Sequence, residues 1–501
     1  MNLLIVSYVY APDRSPRAYR WTAIAEYWAK QGHQVHVISG WKSGDVRTET
    51  LNGVIVWRVG NAIGERLRGL LGRRSHGSTT PSQGTGAQSR LVRLAKWLYD
   101  RTWKLLYWPD YAGFWFFPAR KQALRLCETQ SFDALISVSH PFTGHMVGLA
   151  LKSSRPQLPW LADVGDPFSL LVEIPLNNYR LYSRLNRWAE ARVLTRAESI
   201  TVTVDACRTA YERTFPGSAA KTTIIPPLFS LPPLPKGESS ELLRDDGRHL
   251  VFLGTLYKAL RNPLPLLRLF DTLNRNRNDL HLHFLGTVND CEPCFEPYRH
   301  SLGPHLHLHG MVSREHAALC MNKADLLINI GNATSHQLPS KLVEYVSTGR
   351  PILNLVSSPD DTSVPFLAEY PAALTLMTGE PDHNDLDRIA NLIDSPPPVS
   401  PEFVAHFLSR FTVETLANQY FEQIESLRPS TGEGPSCSVP SPKLGGIEHH
   451  MSNAQEKKST LLSILVVGWL CAVIGAYYTY QADYYAEKLH TFGAALRKVL
   501  P

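Results

Sequence analysis

No disulfide framework can be drawn on this sequence. Its seven cysteines, at positions 127, 207, 291, 294, 320, 437 and 471, are odd in number and scattered, which points to a reducing compartment. The first residues, Met1-Asn2-Leu3-Leu4-Ile5-Val6-Ser7, lack the basic and long apolar regions of a secretion signal and read as a first core strand. Also missing are a Gly-x-Gly-x-x-Gly after a strand, a Walker loop and a His-Glu-x-x-His pair, so dehydrogenase, P-loop nucleotidase and zincin chemistry have no residues to carry them. Cys291-Glu-Pro-Cys294 stands near His281, His283, His305, His307 and His309, but without a second cysteine pair no metal is expected. Asp385-Leu-Asp387 precedes a helix whose dipole accounts for acids there. A large charge of one sign is lacking as well: a net charge of +6 and a pI of about 8.8 are far from the basic stripe of a nucleic-acid binder.

What is there is enough apolar material for more than one core. The chain has 501 residues, 44% of them hydrophobic, and single cores stop growing well before that length, so two or three domains are expected. Its charge is uneven: Arg58 to Arg125 carries thirteen Arg or Lys against Glu65, Asp100 and Asp110. Between 91 and 117 the rings of Trp97, Tyr99, Trp103, Tyr107, Trp108, Tyr111, Phe114, Trp115, Phe116 and Phe117 interleave with Arg93, Lys96, Arg101 and Lys104. That pattern fits a membrane-interface surface, or rings facing the core with their charges in water. Residues 459–482 carry no charge, and the mostly apolar run 461–480 is long enough to cross a bilayer as a helix. Tyr477, Tyr478, Tyr480, Tyr484 and Tyr485 crowd its C-terminal end, where amphipathic rings favour the interface. A transmembrane helix is expected there.

Along the rest of the chain, strand and helix periods alternate. Strands are predicted at 3–7, 35–39, 53–59, 134–138, 160–162, 199–204 and 222–225, then at 250–254, 281–285, 326–330 and 351–355, with helices between and one closing helix over 402–427. Residues 72–90 are rich in turn formers and predict a loop. The proline-rich stretch from Pro226 to Pro235 cannot lie inside a sheet and marks a linker. The expected organisation is a Rossmann-like domain over 1–226, a linker over 227–240, a second Rossmann-like domain over 241–428, a flexible linker over 429–458, the membrane helix over 459–482 and a tail over 483–501.

The most informative segment runs from Gly331 to Leu353, directly after a strand. Pro339 suits a helix start and Gly349 a helix end, and a helix N-terminus above a parallel sheet is a phosphate site. Ser340, Lys341 and Glu344 share one face, which suits phosphate and sugar hydroxyls, or else a solvated ion pair. The string Leu338-Pro-Ser-Lys-Leu-Val-Glu-Tyr-Val-Ser-Thr-Gly-Arg-Pro-Ile352 resembles the nucleotide-sugar motif of the family-4 glycosyltransferases, in its Pro-Ser-Lys variant. The resemblance implies that Glu344 holds the nucleotide ribose, with Leu338, Pro339, Ser340 and Lys341 near the diphosphate. It departs from the commoner pattern of two glutamates seven residues apart, whose first falls here on His336.

The same resemblance covers residues 1–428. It implies a Gly loop and cations against the phosphates at Gly254, Thr255, Lys258 and Arg261, and a base-binding strand end at Gly310 and Met311. Trp160-Leu-Ala-Asp-Val-Gly-Asp-Pro-Phe168 is similar to the Asp-Phe-Arg-Asp-Pro-Trp element of polysaccharide-assembling members, with Gly165 and Phe168 departing from it. The stretch Tyr10 to Arg20, between the first strand and the first helix, lies where the family binds substrates. The resemblance therefore makes Arg14 and Arg17 acceptor-side candidates, or else they are surface arginines, and the Trp160–Phe168 element adds Asp163. His140, Asp166, Arg261 and Lys341 are the catalytic candidates, while His145 reads as a helix-packing residue.

The implied protein has an α/β fold of two facing Rossmann-like domains, called GT-B, plus a C-terminal transmembrane helix. It would be a retaining glycosyltransferase that needs no metal or other cofactor. Its partners would be a nucleotide sugar, a lipid-linked or polysaccharide acceptor and the membrane, with other assembly proteins possible and no nucleic acid. The expected location is the bacterial inner membrane, single-pass, with catalytic domains in the cytoplasm. The alternatives are a nucleotide-sugar epimerase and a non-catalytic membrane-tethered scaffold that binds sugar nucleotides.

Overall fold

Alternating apolar strands and amphipathic helices close into two parallel sheets in this computed structural model, which describes residues 1–13, 15–42, 44–60, 107–172, 175–229, 242–243, 247–275, 277–332, 336–379 and 382–428. Arg14, the loop at 72–90, most of the 227–240 linker, the 429–458 linker, the apolar stretch 459–482 and the tail lie outside the described residues.

The first sheet is built from β1 (Asn2–Val6), β2 (Gln34–Gly40), β3 (Thr48–Leu51), β4 (Val54–Val59), β5 (Ala134–Val138), β6 (Trp160–Asp163), β7 (Ser199–Val202) and β8 (Thr222–Ile224), in the order 3-4-2-1-5-6-7-8. Every pairing is parallel except that of β3 with β4. Leu3 sits between Val35 and Ala134 in register, so β1 and β5 are central. They are apolar apart from Asn2 and Ser137 because helices cover both faces. On one side α1 (Pro16–Lys30) buries Trp21, Ile24 and Trp28; Ser15 caps it by accepting from the Ala18 amide, and Pro16 opens its first turn. The other side is covered by α2 (Phe116–Thr129), α3 (Thr143–Ser154), α4 (Tyr179–Arg196) and α5 (Asp205–Thr214), packed around Leu4, Val6, Leu135 and Trp160.

The second sheet has β9 (Arg248–Leu253), β10 (Leu280–Leu285), β11 (Leu306–Gly310), β12 (Leu326–Ile330), β13 (Ile352–Val356) and β14 (Ala373–Met377), all parallel, in the order 11-10-9-12-13-14. Its helices are α6 (Leu264–Arg275), α7 (Glu292–Leu302), α8 (Arg314–Lys323), α9 (Lys341–Val346), α10 (Ser363–Leu367), α11 (His383–Asp394), α12 (Pro401–Ser409) and α13 (Val413–Ser426). In each sheet the chain winds outward from the centre in both directions, leaving a switch point between β1 and β5 and another between β9 and β12. Open parallel sheets bind ligands at such points, beyond the carboxyl ends of the strands.

The single closing helix expected over 402–427 is instead two. Phe411 turns into the core, and the Thr412 hydroxyl caps α13 by accepting from the Thr415 amide at 3.2 Å. The second piece also leaves the second sheet. It packs on α1, where Trp28 Nε1 donates to the Ala417 carbonyl at 3.1 Å and Trp21 lies against Tyr420. Helix α13 therefore packs with the first sheet, although it falls within the expected 241–428 segment.

The histidines of β9, β10 and β11 form a ladder on one sheet face. His283 bridges His249 at 3.1 Å and His309 at 3.0 Å, and His281 meets His307 at 3.2 Å. Among the described residues no group of His, Cys, Asp or Glu is arranged to hold a metal. Burial, helped by the neighbouring imidazoles, pushes His283 down to about 2, and burial pushes His145 down to about 3. Both are neutral when folded, whereas the unfolded chain binds a proton at each once the pH falls below about 6.5. Stability is therefore complete above that pH and falls below it, by roughly 2 kcal/mol per histidine at about pH 5. Urea midpoints at neutral pH and near pH 5 test this, and His145→Gln is expected to flatten the dependence.

Candidate functional site

At the first switch point, β5 ends in the turn Ser139-His140-Pro141. His140 Nε2 lies 3.0 Å from Asp166 Oδ2. Burial works against the ionised Asp166, but His140, Arg17 and a hydrogen bond from Gln337 hold its carboxyl below its usual value. Gln337 belongs to the loop after β12, so Asp166 is touched from the second sheet as well. His140 Nδ1 is buried and has no partner among the described residues. Nearby lies the fully buried Asp110, which accepts from the Ala112 amide and from the Thr143 amide and hydroxyl. Burial raises its carboxyl despite those bonds and the charge of His140.

The acceptor-side candidates fare differently from the expectation. Asp163 is only 1% exposed. Its Oδ2 accepts from Arg17 Nη1 at 2.9 Å and Trp21 Nε1 at 2.8 Å, and its Oδ1 from the Thr201 hydroxyl at 2.8 Å and the Tyr420 hydroxyl at 2.6 Å. It lies beneath the cleft and holds α1, β7 and α13 together. Arg17, paired with it, does reach the cleft. A Cβ at Gly165 would fall 1.7 Å from Arg17 Nη2. The Arg17 guanidinium, from α1, thus occupies the space that a side chain at position 165 would take. His145 is a core residue, bonded through Nδ1 to the Ser137 hydroxyl at 2.7 Å.

At the second switch point, Gly254 follows β9 with φ +148° and its amide donates to the Leu285 carbonyl, while the Gly286 amide donates to the Gly310 carbonyl at 2.7 Å. The carboxyl ends of β9, β10 and β11 are thereby laced together beside Thr255 and the exposed Met311. Arg261 points back toward this edge, its Nε donating to Asn332 Oδ1 at 2.8 Å. Burial pushes the guanidinium down from its usual value, against the pull of Tyr345 and Asp361. Asp361 is itself buried with Oδ2 unpartnered among the described residues, and burial raises its carboxyl in spite of hydrogen bonds from Ser363. Lys258 is exposed, and its backbone amide donates to Asp290 Oδ1.

The expected helix after Pro339 is short. Its helical turn starts with the Leu342 amide donating to the Pro339 carbonyl, and Gly349 closes it at φ +68°. Tyr345 ties it to the sheet, its hydroxyl accepting from the Leu253 amide and donating to the Ile328 carbonyl. Glu344 is mostly buried and meets Lys341 Nζ at 3.1 Å, with Arg314 Nη2 at 3.9 Å. The Arg314 guanidinium in turn lies 4.5 Å from the ring centre of Tyr19, on α1 of the first domain. Leu338 is partly buried and packs against the core of the second domain.

The structure therefore brings Glu344, Lys341 and Arg314 together on one side and His140, Asp166 and Arg17 on the other, with Gln337 and Tyr19 crossing between. Arg314, Gln337, Asn332, Asp361 and Tyr19 were not anticipated. Arg314 had a signal, a cation one residue after the N-cap Ser313 at the end of a strand; the others depend on pairings made only by the fold.

Residues 18–227 match the family described as the glycosyl transferase 4-like domain. Among solved structures, the fold is similar to sucrose-phosphate synthase from Thermosynechococcus elongatus, at 13% identity and a TM-score of 0.57 over 85% of this chain and 99% of that one. It is similar to HepE from Anabaena in complex with UDP-glucose, at 12% identity and a TM-score of 0.51 over 85% and 100%. It is also similar to the lipopolysaccharide outer core galactosyltransferase WaaB in its apo form, at 14% identity and a TM-score of 0.50 over 85% and 99%. A comparison with curated proteins finds no match. At these identities the structural likeness is one of fold.

Proposed function

We propose that this chain, whose residues 18–227 form a glycosyl transferase 4-like domain within a two-sheet GT-B fold, transfers a sugar with retention from a nucleotide-sugar donor to a lipid-linked or polysaccharide acceptor at the membrane. The observation that supports the reading is the meeting of two switch points, one supplying Arg261, Lys341 and Glu344, the other His140 and Asp166.

In this reading the nucleoside rests on Gly254, Thr255, Gly310 and Met311, and Glu344 accepts from the ribose hydroxyls. Arg261 and Lys341, with Ser340 beside them, meet the negative charge that grows on the departing diphosphate. Stabilising that charge with fixed donors in a desolvated site is electrostatic catalysis. His140, oriented by Asp166, stands on the sugar and acceptor side, and Arg17 lends positive charge at the mouth. The cleft carboxylates are engaged, Asp166 with His140 and Glu344 with Lys341, rather than set as nucleophile and acid, which suits front-face departure. No metal or other cofactor is required. HepE in complex with UDP-glucose supports a nucleotide-sugar donor, and the lipopolysaccharide galactosyltransferase supports an acceptor of the lipid-linked class. Residues 459–482 would anchor the chain in the inner membrane with the catalytic domains in the cytoplasm, where nucleotide sugars are made and other assembly proteins could engage it.

The test incubates the detergent-solubilised full chain with a panel of nucleotide sugars, following nucleoside diphosphate release with and without membrane lipid extract. Lipid-dependent release is expected. Glu344→Ala is expected to weaken donor binding about 10–100-fold, the worth of charged hydrogen bonds to the ribose. Donor binding with no release under any acceptor condition would replace transfer by a scaffold role.

A further inference from the structure

The outward face of α2 and α4 has a chemistry that the cleft does not use. Helix α4 carries one acidic residue, Glu190, and it is buried, accepting from the Phe168 and Ser169 amides and the Tyr211 hydroxyl. With that carboxylate turned inward, the exposed side of the helix holds Arg180, Arg184 and Arg187 and no acid. Between them stand Leu181, 57% exposed, and Trp188, 41% exposed, with the Arg192 guanidinium 5.7 Å from the Trp188 ring centre.

A second group continues this surface. The Trp108 indole donates to Asn186 Oδ1 at 3.0 Å and the Asn177 amide to the Pro109 carbonyl at 2.7 Å, which fastens the segment before α2 to α4. That segment and the start of α2 expose Phe114 (54%) and Phe117 (49%), next to the exposed Arg120 and Lys121. Of the aromatic run noted in the sequence, Trp115 faces the core and Phe114 and Phe117 do not, so the core reading accounts for only part of it. Large rings and leucine among arginines, with the acid withdrawn, match a surface that is apolar just below a layer of negative charge.

We propose that this face docks on an anionic lipid bilayer, the arginines meeting acidic headgroups and Phe117, Leu181 and Trp188 entering the acyl boundary. A second copy of the chain would set like charge against like. The inference is carried by these exposed residues and holds whether or not the cleft turns over a nucleotide sugar.

The full chain is reconstituted in vesicles of phosphatidylcholine alone or mixed with phosphatidylglycerol, both containing a photoactivatable phospholipid, and labelled peptides are mapped by mass spectrometry. Mapping separates this surface from any labelling at 459–482. Labelling of peptides 108–121 and 179–192 is expected only with phosphatidylglycerol and is expected to fall at high salt. Each cation at such a surface contributes about fivefold to docking, so Arg180→Gln with Arg184→Gln is expected to return both peptides to the phosphatidylcholine level. Leu181→Ser, which leaves every charge in place, is expected to reduce labelling in part, and thermal melts confirm that both variants fold. Equal labelling in both lipids, no effect of either variant, or displacement by single-stranded RNA would overturn the proposal, the last reassigning the face to a general polyanion.

Discussion

Arg261→Ala is expected to lower kcat about 10²–10³-fold, the loss seen when one preorganised donor to a developing oxyanion is removed. The expectation rests on the surroundings of Arg261. Its guanidinium is largely desolvated, its hydrogen-bond partner is the neutral Asn332, and among the described residues no carboxylate lies in ion-pair contact with it. The nearest acid that acts on it is Asp361, whose carboxyl burial drives toward the neutral form. A buried cation without a close counter-ion is strained until an anion arrives, and a diphosphate gaining negative charge as the sugar departs is the best partner available to it. Arg261→Lys keeps the charge but not the fork of donors and is expected to recover only part of the rate. Steady-state kinetics with saturating donor separate the outcomes: a fall in kcat supports the assignment, whereas a rise in KM alone would make Arg261 a binding residue.

The largest effect on stability is expected at Asp163. Asp163→Ala is expected to cost about 3–5 kcal/mol, the usual penalty for breaking a buried pair and leaving its partners behind. Those partners are Arg17, the Trp21 indole, the Thr201 hydroxyl and the Tyr420 hydroxyl, and through Tyr420 the buried Arg20, which reaches the Ile225 and Pro226 carbonyls. Burial opposes ionisation of Asp163, and Arg17 and Arg20 overcome it, so the carboxyl is held below its usual value. The stability it contributes is present above the unfolded carboxylate range and is lost as the pH falls through the lowered value. Guanidinium midpoints of Asp163→Ala and Asp163→Asn measure the two parts, the asparagine variant keeping shape and losing charge. A change below about 1 kcal/mol for the alanine variant, within the range of ordinary surface substitutions, would refute this account of the cluster.

How much of this was legible depended on sequence distance. β5 and β12, buried at every position and apolar at all but Ser137 and Asn329, could be placed to the residue, because a strand covered on both faces reads as a near-continuous apolar run. β3 and β14 could not, since Thr48–Leu51 and Ala373–Met377 are half exposed and mix polar with apolar side chains. The break between α12 and α13 is a matter of one buried ring, Phe411, inside a pattern that otherwise reads as continuous helix. In the cleft, Glu344 and Lys341 sit one turn apart and announce each other. Asp163 and Tyr420, by contrast, are separated by 257 positions; the resemblance marked Asp163 as an acceptor-side candidate, and its bonds to Tyr420 and α1 became visible only in the fold. The closeness of Arg17 to Gly165 was hidden for the same reason, since 148 positions separate them.

The return of α13 to the first sheet also sets a timetable for synthesis. Trp21, Trp28 and Arg20 are made early, yet their cover and their hydroxyl partner arrive with Ala417 and Tyr420. At about 5–20 residues per second, the roughly 200 residues between the end of the first sheet and that helix take on the order of tens of seconds to emerge. During that interval the nascent first domain carries an uncapped aromatic face and a buried arginine without its hydroxyl partner, so it matures only when the second domain is already outside the ribosome. A chain stopped before α13 therefore leaves Trp21, Trp28 and Arg20 without these partners.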